Sequence, residues 1–254
     1  MPSAIMARWA EIRIGFMILT RFPMGRIDGE APSMAASAWC WPLVGLVVGG
    51  LAAAVWWMAV SVGLPPLLAA TLAILAGVLA TGGLHEDGLA DLFDGFGGGR
   101  DKARVLEIMR DSRIGSYGAL ALGFSLLVRA AALASLDPGT GVWALAGLTA
   151  ASRAVMPMAL RVMPPARPDG LGKAAGGVGR GTVLIAPLLG LAALLPLGVF
   201  PALAIAFGMA AASTALGLWA VSRIGGQTGD VLGAMCQLGE ISGWLAVSAL
   251  LSGA

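Results

Sequence analysis

Charge is scarce in this sequence. Only 12% of its 254 residues are charged, too few to cover the surface of a soluble domain of this length. It has one histidine, one tyrosine and two cysteines. Cys40 and Cys236 lie in apolar surroundings without metal-type spacing. That excludes a cysteine zinc site and a disulfide framework, and both read as small core residues. No basic run stands out, and a net charge of +2 offers no electrostatic footprint for nucleic acid. The N-terminal stretch carries Glu11 and Arg13, so it lacks the apolar core of a signal peptide. No internal repeat is visible, which removes the main sequence support for a duplicated transporter.

What the chain has is apolar residues, 58% of the total, with 38 glycines and a mean hydropathy of +0.86. A bilayer accounts for that excess, since both the lipid-facing surface and the interior are then apolar. Glycines in such a chain suit close helix packing. The reading is an all-α, polytopic membrane helix bundle, with residues 1–254 forming one integral membrane domain. Apolar stretches near 42–62, 65–81, 117–136, 142–160, 182–199, 201–221 and 232–253 each approach the roughly 20 residues a span needs. The fifth and sixth are divided at Phe200-Pro201, where proline interrupts a helix. This makes seven crossings. Residues 5–22 alternate charge with apolar side chains and read as an amphipathic helix lying in the interface. Trp39, Trp41, Trp56 and Trp57 read as interface markers.

Orientation follows from where the cations fall. With the N-terminus inside, the inner segments hold Arg8, Arg13, Arg21, Arg26, Arg100, Lys102, Arg104, Arg110, Arg113, Arg161, Arg167, Lys173, Arg180 and Arg223, and the outer loops hold only Asp137. The positive-inside rule then places the long, chemically varied connections in the cytoplasm. Arg129, Arg153 and Glu240 fall within or near spans. They read either as an internal ion-pair set or as contacts for a substrate, because charge at that depth faces the bundle interior.

The most informative stretch is 81–118, TGGLHEDGLADLFDGFGGGRDKARVLEIMRDSRIGSYG, with an acid-rich catalytic loop at 82–116. It holds Glu86, Asp87, Asp91, Asp94, Asp101, Glu107 and Asp111, half of the fourteen acids in the chain. Asp87, Asp91 and Asp94 are spaced i, i+4, i+7, which on a helix sets three carboxylates on one face. Their repulsion calls for a divalent cation, and oxygen-only ligands point to Mg²⁺ or Mn²⁺. A solvated acidic turn after a span is the plainer alternative. Nearby arginines that can grip phosphate oxygens complete a set suited to phosphoryl transfer. The glycines at 82–83 and 97–99 either admit phosphate to backbone N–H groups or simply punctuate helices. His85 is either a general base, a phosphate contact when protonated, or a residue that orients a neighbour.

The order GGLHEDGLAD, then DG, then LEIMRDSRIGSYG resembles the cobalamin synthase (adenosylcobinamide-GDP ribazoletransferase) family. LTRFP at 19–23, WPLVG at 41–45, SR at 152–153 and GGQTGDVLGA at 225–234 resemble it in the same order, so the likeness covers nearly the whole chain. The resemblance implies a Mg²⁺-dependent transferase at the cytoplasmic face of the bacterial inner membrane. It would join adenosylcobinamide-GDP to α-ribazole or its 5′-phosphate and release GMP. It suggests His85, Asp87 and Asp91 for catalysis, and Glu86, Asp87, Asp91, Asp94 and Asp230 for metal. Arg110, Ser112, Arg113, Arg129, Arg153, Gln227 and Thr228 would contact substrate or phosphate. Asp230 also has a simpler role as a helix cap, and the glycine-rich segment 167–181 reads as a lid or a plain linker. Expected partners are the two substrates and the lipid bilayer, with room for a homo-oligomer and none for nucleic acid. Two rivals are a CDP-alcohol type phosphotransferase, whose Ala-Arg after Asp-Gly is absent here, and a small-molecule transporter.

Overall fold

The computed structural model describes residues 4–27, 29–168 and 177–252, and their regular structure is helical apart from one isolated bridge between Pro165 and Gln227. The helices are α1 (Ala4–Leu19), α2 (Met34–Ser37), α3 (Trp41–Ser61), α4 (Pro66–Thr81), α5 (Leu84–Gly98), α6 (Lys102–Ile108), α7 (Ser116–Ala134), α8 (Pro138–Val162), α9 (Arg180–Leu194), α10 (Val199–Ile224) and α11 (Gly229–Leu251). Six stretches are long and apolar enough to cross a bilayer: Met34–Ser61, Ser116–Ala134, Pro138–Val162, Arg180–Leu197, Val199–Ile224 and Gly229–Leu251. The pair α4–α5 passes the same test only when its two helices are taken together, and it bends by 89° between them. Helix α4 is short, since 16 residues reach only about 24 Å at ~1.5 Å per residue. The chain is an all-α, multi-pass membrane bundle.

Helix α8 is central, and small residues let its neighbours close on it. A Cβ at Gly45 of α3 would lie 2.4 Å from the Thr149 carbonyl oxygen, and one at Gly49 2.5 Å from that of Leu145. The glycines thus serve helix packing, as their abundance suggests. Leu75, Leu79, Phe124, Leu127, Phe200 and Phe207 point outward, as lipid-facing residues do. One end of the bundle gathers α1, α5, α6 and the turns before α9 and α11. At the other end, the connections 62–65, 135–137 and 195–198 hold Asp137 as their one charge among the described residues.

Three expectations are corrected. The supposed catalytic loop 82–116 is mostly helix, α5 and α6. The break between the fifth and sixth spans lies at Gly198, whose φ of +103° a side chain would oppose, whereas Pro201 sits in the first turn of α10, where its missing N–H costs nothing. Trp41 and Trp56 are buried, the latter donating to the Pro138 carbonyl at 3.1 Å. They are core residues rather than interface markers. Trp57 is exposed, and Trp39 donates to Glu11 at 2.6 Å. Helix α1 presents Ile5, Met6 and Trp9 outward and rests Gly15 against Cys40 and Trp41.

Candidate active site

The acidic helix is placed by a right-angle turn. Gly82 and Gly83 hold φ of +68° and +73°, a left-handed pair that only glycine adopts freely. Their N–H groups bond to Leu79 and Val78 carbonyls at 3.2 and 2.9 Å, so they punctuate the helix and are spent as phosphate donors. Helix α5 then packs along α7 and α11. A Cβ on Gly88 would come within 2.9 Å of the Asp230 carbonyl oxygen. Arg223 pins the far end, donating to the carbonyls of Phe96 and Gly99 at 3.1 and 2.7 Å.

The acids of α5 separate into two groups once the helix is seated. Asp94 turns inward and accepts from the backbone N–H groups of Gly115 and Gly118 at 2.7 and 2.8 Å. It caps the positive end of α7, a favoured place for a carboxylate. Glu86 also turns inward. Its Oε1 accepts from Arg129 at 3.0 Å and from Gln237 at 2.8 Å. Arg129 continues to Glu240 at 3.1 Å, and Arg153 meets the other Glu240 oxygen at 2.9 Å. Two arginines and two glutamates thereby neutralise one another in the interior. Glu86 and Asp94 are turned away from the metal set the sequence suggested, and Arg129 and Arg153 take the ion-pair alternative, because each already has a buried partner of opposite charge or polarity.

Asp87 and Asp91 remain. With Gly82, Gly83, Ala90, Ser112, Ile114 and Leu122 they line a cleft of about 360 Å³. Burial, reinforced by Asp87, Asp230 and Asp94, pushes the Asp91 carboxyl up to about 7, with Arg167 opposing the rise. Asp230 sits in the first turn of α11 and accepts from Arg167 at 2.8 Å and from Thr228 at 3.2 Å. The cap itself is Thr228, which accepts from Val231 N–H at 3.2 Å, so Asp230 is free of that duty. Gln227 exchanges backbone bonds with Pro164 and Ala166 at 2.8 and 2.9 Å. Thr228 and the Gln227 backbone therefore fix the start of α11.

Ser112 faces the cleft, whereas Arg113 forks onto Asp111 at the surface, with Nε and Nη2 at 3.1 and 2.6 Å. That fork holds Asp111 down at about 2. Arg110 is exposed on the same connection. His85 is buried, and neither ring nitrogen has a hydrogen-bond partner among the described residues. It faces a second cavity, of about 100 Å³, behind α5. Asp87 lines both spaces. Residues 169–176 of the expected lid lie outside the described residues.

Among the described residues no three His, Cys, Asp or Glu side chains converge as a preformed metal cage. Mg²⁺ asks for less, since it commonly takes one or two carboxylates and completes its shell with phosphates and water. Asp87 and Asp91 fit that requirement, and the neighbouring carboxylates that add to the effect of burial on Asp91 supply a negative field that a dication offsets. Sequence reasoning missed Arg167 as the partner of Asp230, Gln237 as the partner of Glu86, and the second cavity. Arg167 could be suspected only as one cation among several in its segment, and the cavity has no sequence signal beyond the lone histidine.

The model of the family described as Cobalamin-5-phosphate synthase matches residues 11–248. Proteins named Adenosylcobinamide-GDP ribazoletransferase are similar along most of their length. That of Mesorhizobium japonicum is 43% identical, covering 95% of this chain and 94% of the relative. That of Bradyrhizobium diazoefficiens is 45% identical, over 91% and 90%, and that of Azorhizobium caulinodans 47% identical, over 92% and 93%. No solved structure matches. Matched from its first helix to its last, the chain belongs to the cobalamin-5-phosphate synthase family.

Proposed function

We propose that the chain transfers the adenosylcobinamide phosphate group from adenosylcobinamide-GDP to α-ribazole, or to its 5′-phosphate, and releases GMP. The observation that carries this reading is the cleft in which Asp87 and Asp91 stand together with no ion pair of their own among the described residues, beside Ser112 and within the field of Asp230. The acid-bearing end would face the cytoplasm of the inner membrane, where its cations satisfy the positive-inside rule.

In the reaction, the acceptor hydroxyl oxygen forms a bond to the phosphorus nearer cobinamide, and the bond from that phosphorus to the GMP oxygen breaks. Asp87 and Asp91 would hold Mg²⁺, which when bound neutralises charge on the diphosphate. The hydroxyl proton leaves to the carboxylate cluster. Ser112 donates to a phosphate oxygen. Asp230, restrained by Arg167 and Thr228, keeps the third side of the cluster anionic. Asp94 and Glu86 act at one remove, by fixing α5 to α7 and to the interior.

The test is purified protein in lipid given adenosylcobinamide-GDP, α-ribazole and Mg²⁺. GMP release with cobalamin formation is expected, and chelation by EDTA should abolish both until Mg²⁺ is restored. Asp87→Asn and Asp91→Asn should each lower kcat at least 100-fold in folded protein. Full Mg²⁺-dependent turnover in both variants would remove the metal assignment.

A further inference from the structure

Three ion pairs that join distant parts of the chain are sealed. Arg129–Glu86, Arg129–Glu240 and Arg153–Glu240 leave no side chain more than 13% exposed. Arg167–Asp230 is more open, at 16% and 23%, and it is lightly made. Arg167 Nη2 donates to Asp230 Oδ2 at 2.8 Å, which uses one of the five N–H donors of a guanidinium. Thr228 donates to the same oxygen at 3.2 Å. Among the described residues, nothing donates to Asp230 Oδ1 and nothing accepts from the other Arg167 donors.

The backbone that carries Arg167 is, by contrast, fixed. Prolines at 164, 165 and 168 restrict it. Gln227 N–H donates to the Pro164 carbonyl and Ala166 N–H to the Gln227 carbonyl, and a side chain on Gly226 would run into the Pro164 carbonyl. The turn that starts α11 thus presents both members of the pair. A guanidinium held by one bond on a fixed stem can change partner without moving the chain. Asp230 also adjoins the acids of α5: it lines the cavity behind α5 with Asp87, and Asp87 lines the cleft with Asp91. Asp91 lies in the fields of Asp230 and Arg167, which act on it with opposite signs.

We infer that Arg167 is an exchangeable counter-ion, which neutralises Asp230 in the absence of a dication, yields that carboxylate when Mg²⁺ binds, and then pairs with the diphosphate of the donor. The inference rests on the reaction proposed above and adds to it a residue that links metal binding to donor binding. The donor brings further negative charge to a cluster of carboxylates, and a guanidinium released from Asp230 matches it, since its planar fork grips phosphate oxygens in pairs. Before the donor arrives, Arg167 and the dication compete for one carboxylate, so each weakens the hold of the other. A purely structural pair would act in the opposite sense, because loss of Arg167 would then loosen the cluster and weaken metal binding.

The experiment is a Mn²⁺ titration read by electron paramagnetic resonance, on full-length protein in nanodiscs, stripped of metal and without either substrate. Arg167→Gln should bind Mn²⁺ at least fivefold more tightly than wild type, and Arg167→Lys, which keeps the charge, within twofold of it. In an Asp230→Asn background, Arg167→Gln should leave Mn²⁺ affinity unchanged, because nothing remains to compete for. Kinetics on the same preparations should show the KM for adenosylcobinamide-GDP raised at least tenfold in Arg167→Gln, with the KM for α-ribazole within twofold of wild type. Unchanged or weaker Mn²⁺ binding in Arg167→Gln, tightening that persists without Asp230, or equal changes in the two KM values, or none, would overturn the counter-ion. The expected Mn²⁺ pattern in protein that releases no GMP would instead defeat the proposed reaction and uphold the exchange at Asp230.

Discussion

Asp91, half-buried among other carboxylates, holds its proton to about pH 7. An unfolded aspartate releases its proton near ~4, so between these values the folded chain binds a proton that the unfolded chain does not. The stability this confers is complete below pH ~4 and is lost as pH rises through 7. EDTA-treated protein should therefore melt at progressively lower temperature from pH 5 to pH 8. Asp91→Asn should flatten that dependence, and Mg²⁺ should reduce it. A pH-independent melting temperature in metal-free wild type would contradict the crowding of these carboxylates. The interior charges make a second prediction. Glu240→Gln leaves Arg153 buried without its carboxylate partner, and breaking a buried pair from one side costs about 3–5 kcal/mol. Denaturation of detergent-solubilised protein should show a loss of that order. At this scale the sequence is only half legible. The i, i+4, i+7 spacing of Asp87, Asp91 and Asp94 predicts one shared helical face, and of the three only Asp87 and Asp91 line the cleft, while Asp94 turns to cap α7. The role of Glu86 depends on Arg129 and Gln237, 43 and 151 residues away, and no local pattern encodes such a pairing.

Among the elements, α5 carries the chemistry, and its seat against α11 is a matter of backbone contact. Gly88 meets Asp230 so closely that a side chain there must push the helices apart. Gly88→Val should reduce turnover at least tenfold and lower stability by about 1–3 kcal/mol, the usual cost of overpacking. Assayed GMP release and chemical denaturation on the same preparation separate the two effects. Unchanged turnover would mean that the spacing between α5 and α11 does not matter to the site. The existence of most spans is legible from hydropathy alone, because a run of about 20 apolar residues admits few other readings. The right angle between α4 and α5 is less so. Two consecutive glycines mark a turn, but its direction is set by what α5 packs on, and that involves α7 and α11 later in the chain.

The whole molecule has a charged end and a nearly uncharged one, and the proposed orientation can be tested directly. Both native cysteines are buried, so an impermeant thiol reagent should find only cysteines placed by design. In intact cells stripped of their outer membrane, Ser61→Cys should be labelled and Arg100→Cys protected until the membrane is permeabilised. The opposite pattern would invert the topology and move the site away from nucleotide-activated substrates.

The four-residue charge cluster also sets a schedule for biogenesis. Arg129 and Arg153 enter the bilayer with α7 and α8, and Glu86 is already made, but Glu240 arrives only with α11. Until then the nascent bundle holds one more cation than its interior can neutralise. A chain that stops short of the last helix therefore keeps one arginine of the cluster in the bilayer without a carboxylate to neutralise it.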